Sequence, residues 1–241
     1  MEEARFGAPA GTFLVVRGMI PRYAIIPTAN RPQVARQCID AIALQVDTVF
    51  VVDNGDNEPL LNYLDDDDYP SVYVIQYDKQ GQVPNLCLFW NIALDLIKMD
   101  AKRMEVQRWD VAILNDDAIV PEGWFDAVSS AMRENNCAAA SSCGGAMAIH
   151  REPGPVPIMT RMYGPAFIVA GEKGLRGDER LKWYYTDDYM DWESRKLGGM
   201  VIIPGYTVNH LHPNAQVTGE IQVQISNDAT LFKEIYGVMP W

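Results

Sequence analysis

The chain has 241 residues, 48% of them hydrophobic and 22% charged, and a formal net charge of -12. That length and apolar share can bury one substantial core, while so acidic a surface repels phosphate backbones and anionic headgroups, which excludes nucleic acid and membrane surfaces as expected partners. A nucleotide ligand stays open, because a divalent cation can bridge carboxylates to a diphosphate.

The four cysteines form no C-x-x-C pair, so reduced thiols and a cytoplasmic location are expected. No stretch approaches the roughly 18 apolar residues of a membrane helix. The acidic, proline-bearing start from Met1 to Ala10 does not read as a signal peptide.

Tyr23-Ala24-Ile25-Ile26-Pro27 is a short apolar run that reads as a strand and ends at Thr28-Ala29-Asn30. Pro32 suits the first turn of a helix, where its missing N–H has no partner to lose. Val34, Cys38 and Ile42 then recur at helical spacing. Val49 to Val52 is a second unbroken run, stopped by Asp53-Asn54-Gly55-Asp56. Val72 to Tyr77 reads as a strand, Leu86, Phe89 or Trp90, Ala93 and Ile97 as one side of a helix, and Val111 to Leu114 as a strand broken by Asn115-Asp116-Asp117. Trp124 to Met132 reads as a helix. Unbroken apolar strands alternating with helices predict an α/β fold with a mostly parallel central sheet.

The second half is less regular. Ala138 to Ile149 reads as one strand bent at Gly144-Gly145, His150 to Pro157 as a loop, Ala166 to Ala170 as a strand, and Glu172 to Arg180 as a charged loop. Asp187 to Leu197 reads as a helix, Val201 to Ile203 as a strand, and Val208 to Pro213 as a turn carrying His210 and His212. Residues 19–225 are expected to form one domain. Residues 1–18 precede it with no assignable role, and residues 226–241 follow as a helical tail packed on it. The acid run Asp65 to Asp68 reads as a solvated loop.

In open α/β sheets, ligands bind at the carboxyl ends of the strands. Three strand ends here are polar: Thr28 to Arg31, Asp53 to Gly55, and Asn115 to Asp117. Taken singly, each is an ordinary turn sequence. Two adjacent carboxylates in a crevice repel, however, and a magnesium or manganese ion shared with substrate phosphates is the usual remedy. Asp187 and Asp188 open a helix, where capping and the helix dipole alone would explain them. His210 and His212 point to one face if the segment is extended.

Read in order, Ala24 to Pro32, Val51 to Gly55, Ile113 to Asp117 and Pro121-x-Gly-Trp124 resemble family-2 GT-A glycosyltransferases, from about Ile20 to His212. The resemblance implies a single GT-A domain, with a Rossmann-like nucleotide half and an acceptor half. It implies that Pro27, Thr28 and Arg31 lie against the nucleotide, that Asp53 binds its base, and that Asn85 and Asn91 belong to the donor side. The triplet is similar to the family's D-x-D motif with asparagine at its first position. Asp116 would then face the ribose or donor sugar, and Asp117 would bind Mn²⁺ or Mg²⁺ with His210, or alternatively His212, completing the metal site. Asp188 takes the place of the catalytic base of an inverting transfer, with Asp187 beside it on the acceptor side. Trp183-Tyr184-Tyr185, just before that pair, reads either as core packing or, as its location favours, as a sugar-stacking platform on the acceptor side.

The implied partners are a nucleotide-sugar donor, with a UDP-sugar preferred, and a glycan, small-molecule or protein acceptor. Two other classes stay open. One is a nucleotidyltransferase, although no glycine-rich or basic loop gripping a triphosphate is evident near Pro27. The other is an inactive relative that binds nucleotide or glycan without turnover.

Overall fold

The computed structural model describes residues 20–55, 59–64, 68–78, 83–143, 145–211 and 219–240. The extension 1–18, Asp65 to Asp67, Gly144 and His212 lie outside these residues.

Chain order is β1 (Arg22–Thr28), α1 (Pro32–Ala43), β2 (Thr48–Asp53), β3 (Val72–Gln76), α2 (Leu86–Arg103), β4 (Asp110–Leu114), β5 (Ala118–Ile119) and α3 (Trp124–Glu134). It continues with β6 (Ala139–Ser142), β7 (Ala148–His150), β8 (Ala166–Ala170), α4 (Thr186–Lys196), β9 (Met200–Ile203), β10 (Asn209–His210) and α5 (Gly219–Tyr236). The main sheet has the order β3-β2-β1-β4-β8-β6-β9-β7, and β10 and β5 form a separate two-stranded ribbon. β3, β2, β1 and β4 are all parallel; β8 enters antiparallel to β4 and β6, β9 is parallel to β6, and β7 closes the edge antiparallel to β9. The fold is therefore α/β, with a mostly parallel sheet flanked by helices.

The unbroken apolar strands are buried on both faces, and alternate residues serve opposite layers. In β1, Ala24 and Ile26 pack with Ala35, Ile39, Trp124 and Phe125 of α1 and α3. Tyr23 and Ile25 pack on the other side with Phe89, Ala93 and Ile97 of α2 and with Trp192 and Phe232 of α4 and α5. Burying a side chain such as Ile26 completely contributes about 1.5–3 kcal/mol.

Two expectations change. Ala138 to Ile149 is two strands, β6 and β7, which flank β9 on opposite sides rather than forming one bent strand. β6 is buried throughout, whereas β7 is half-exposed at the sheet edge. The tail helix begins at Gly219 and runs across position 225, so the boundary drawn there cuts a single helix. All four cysteines are free thiols.

Candidate active site

The carboxyl ends of β1, β2 and β4 open onto a cleft of about 270 Å³. One wall carries Pro27, Thr28, Arg31, Asn54, Asp116, Asp117 and His210. The other carries Arg161, Gly164, Trp183, Tyr184, Asp187 and Asp188.

On the first wall, β4 ends at Leu114 and delivers two nearly buried carboxylates. Asp116 accepts from the Thr28 hydroxyl at 2.8 Å and from Arg31 Nε at 3.2 Å, and its second oxygen accepts from Arg31 Nη2. Arg31 also reaches Asp117 Oδ2 from Nη1, at 3.3 Å. This guanidinium stands at the N-cap of α1, where Pro32 starts the helix, so the β1–α1 turn fixes the countercharge of the pair.

His210 arrives by register. β10 pairs with β5 so that His210 stands opposite Ala118, and Leu211 N donates to the Asp117 carbonyl at 3.0 Å. His210 Nε2 then lies 3.0 Å from Asp117 Oδ1. Burial pushes Asp116 upward, and the Arg31 charge offsets this only in part. At Asp117 burial also pushes upward, but the His210 hydrogen bond and charge, helped by Arg31, outweigh it and hold the carboxyl below its usual range.

On the second wall, α4 begins with Thr186, Asp187 and Asp188. The preceding Tyr185 is left-handed, with φ 58° and ψ 7°, a conformation that strains a residue of this size by about 1–3 kcal/mol. Asp188 is buried, with Arg161 Nη1 at 3.6 Å. Burial and the adjoining Asp187 carboxylate push Asp188 up to about 8, against the opposing pull of Arg161 and Arg195. Gly164 makes room for Asp187: a Cβ at that position would stand 1.9 Å from Asp187 Oδ2. Asp191, three residues beyond Asp188, is committed elsewhere, in a fully buried pair with Arg195 at 2.7 Å.

Of the residues named from sequence, Pro27, Thr28, Arg31, Asp116, Asp117, His210, Trp183, Asp187 and Asp188 share this cleft. Four others are outside its lining. Asp53 is buried and spends both oxygens on its own loop and on β3, accepting from Gly55 N (2.9 Å), Leu60 N (2.8 Å) and Gln76 Nε2 (2.9 Å). Asn85 caps α2 by accepting from Leu88 N, and it donates to the Glu179 carbonyl. The Asn91 amide staples Gly177 and Glu179 through three bonds of 2.9–3.0 Å. The Tyr185 ring packs on Phe232, at 5.6 Å.

Two lining residues, Asn54 and Arg161, were not assigned roles from sequence. Asn54 lines the cleft, and its buried Nδ2 has no partner among the described residues. Its place beside Asp53 at a strand end is the trace it leaves in the sequence. Arg161 has no comparable pattern around it, whereas Gly164 opens Gly164-Pro165-Ala166-Phe167, a segment that resembles the family's acceptor-side lining but reads equally as a turn.

Compared with solved structures, the chain is similar to S. aureus TarS. Residues 1–349 of that protein superpose with a TM-score of 0.55 and 15% identity, covering 90% of this chain and 74% of that one. The same fragment bound to UDP matches at 0.55 and 13%, covering 91% and 72%; bound to UDP-GlcNAc it matches at 0.54 and 13%, covering 90% and 73%. The fold is GT-A. Against a longer TarS structure the chain covers 40% of the partner's length. No family model and no curated protein matches the sequence.

Asp117 and His210 put one carboxylate and one imidazole side by side, two donors that a divalent cation could share. Two neighbouring ligands of an octahedral ion, each at roughly 2.1 Å, stand about 3 Å apart, and Asp117 Oδ1 and His210 Nε2 have that separation. Among the described residues, no group of three His, Cys, Asp or Glu side chains forms a complete protein cage.

Proposed function

We propose that the chain is an inverting glycosyltransferase that moves a sugar from a nucleoside diphosphate, with UDP preferred, to an acceptor hydroxyl. The carrying observation is that one cleft joins a paired-carboxylate wall with His210 to a wall bearing a buried carboxylate of raised pKa, Asp188. The TarS structures with UDP and UDP-GlcNAc support the choice of donor.

In this reading Thr28 and Arg31 hold Asp116 toward the donor. Asn54 offers to the nucleotide an amide donor without a partner among the described residues, a role the resemblance gave to Asp53. Asp117 and His210 would hold Mn²⁺ or Mg²⁺, which when bound would neutralise charge on the departing diphosphate.

Asp188 accepts the proton of the acceptor hydroxyl, and that oxygen forms a bond to the anomeric carbon. The bond from that carbon to the diphosphate oxygen breaks on the opposite face, releasing the nucleoside diphosphate and inverting the anomeric centre. General-base catalysis of this kind contributes about 10²–10⁴-fold.

The test is incubation with a panel of UDP-sugars and saccharide acceptors in Mn²⁺, with product read by NMR. UDP release with an inverted product, lost in Asp188→Asn, is expected. Pyrophosphate release would identify a nucleotidyltransferase instead. Nucleotide binding without any turnover would identify an inactive relative.

A further inference from the structure

The buried face of α5 comprises Ile221, Asp228 and Phe232, and Asp228 is its only charged member. It is completely inaccessible to solvent. A carboxylate so placed is costly unless donors fill its oxygens, and Asp228 has four. Three are consecutive backbone amides, Lys182 N at 3.2 Å, Trp183 N at 2.8 Å and Tyr184 N at 2.9 Å. The fourth is Gln224 Nε2 at 2.7 Å. Successive amides converging on one anion form a concave cradle, here occupied by the protein's own side chain.

α5 grips the same segment a second time through Phe232, which packs on Tyr185 and on Trp192 of α4, at 5.6 and 5.2 Å. The left-handed Tyr185 is thus held from both sides, directly before the Asp187–Asp188 end of α4. Two aromatic side chains hang from the gripped backbone, Trp183 and Tyr184. Both line the cleft beside Asp187 and Asp188, and Tyr184 is 38% exposed.

We propose that Asp228 is a positioning residue that holds Trp183 and Tyr184 as a rigid aromatic platform for the pyranose ring of an acceptor saccharide. The inference rests on reading the Asp188 wall as the acceptor side, and it narrows the acceptor to a saccharide. An aromatic face offers apolar surface to the C–H face of a sugar ring. The adjacent carboxylates accept from its hydroxyls.

The test uses methyl glucoside, methyl N-acetylglucosaminide, methyl galactoside and methyl mannoside as probes, with binding read by saturation-transfer NMR. UDP affinity is measured separately by calorimetry, and amide exchange at 182–184 by mass spectrometry. At least one glycoside should bind the wild type. Asp228→Asn should weaken that binding about tenfold and speed exchange at these amides about ten- to hundredfold, as loss of charge-assisted hydrogen bonds gives, with UDP affinity unchanged. Should Asp228→Asn fail to fold, Trp183→Ala carries the test and should lose glycoside binding alone. No glycoside binding to wild type, or faster exchange with unaltered glycoside affinity, would overturn the proposal. Absence of UDP binding alone would instead count against the donor-side reading.

Discussion

His210 Nε2 lies 3.0 Å from Asp117 Oδ1 because a ribbon of two residues per strand places β10 against β5. The same Asp117 accepts from Arg31 with its other oxygen. One carboxylate is therefore shared between a fixed guanidinium and an imidazole that can serve as a metal ligand. This sharing makes the first wall testable without a substrate.

Arg31→Met removes the cation from Asp116, whose side chain is only 6% exposed. Breaking one partner out of a buried pair costs about 3–5 kcal/mol. Denaturation in EDTA should show a loss of that size, and Mn²⁺ should restore more stability to the variant than it adds to wild type. No stabilisation of either protein by Mn²⁺ would count against a metal at Asp117 and His210.

Asp188 has a folded pKa of about 8 against an ordinary value of 3.8. Between those values the folded state binds more protons than the unfolded state, so wild-type stability falls as pH rises from about 4 to about 8. Asp188→Asn lacks this penalty. Thermal unfolding across that range should show its advantage over wild type growing with pH and levelling above about 8. The same proton sets the rate: kcat/KM should rise with pH on a limb near 8, since a base must be ionised to act. Asp187 titrates with it, so the limb belongs to the pair.

Gly164→Ala places a Cβ 1.9 Å from Asp187 Oδ2 and 2.7 Å from its Cγ. The carboxylate has to move, and a shift on the order of 1 Å in a catalytic arrangement can cost about 10²-fold. Transfer should fall by that order while UDP affinity, set on the opposite wall, stays the same. A parallel loss of UDP affinity would mean that the two walls are not separable.

Asn91→Ala distinguishes the scaffold role seen here from the donor-side role implied by resemblance. Its amide bonds Gly177 and Glu179, so thermal stability should drop by about 1–3 kcal/mol without change in UDP affinity. Lost UDP binding with intact stability would restore the donor-side role.

The sequence is legible where a single segment carries its own pattern. β1, β2 and β4 are unbroken apolar runs ending in polar turns, and Asp116, Asp117 and Asp188 stand at element ends where a cleft forms. Asp53, Asn85 and Asn91 look the same in sequence whether they face a ligand or a neighbouring loop. Their partners, such as Gly177 for Asn91, are set only by how distant segments pack. β5 and β10 are two residues each, too short to show an alternation. β6 and β7 share an apolar stretch whose split is decided by pairing with β9. Asp228 was not legible at all, because the three amides it holds belong to a segment remote in sequence.

The most direct measurement is calorimetric titration of UDP, with and without Mn²⁺, on wild type and Asp117→Ala. The account predicts binding that requires both the metal and Asp117. Binding of equal strength in all four titrations, or none in any, would contradict it.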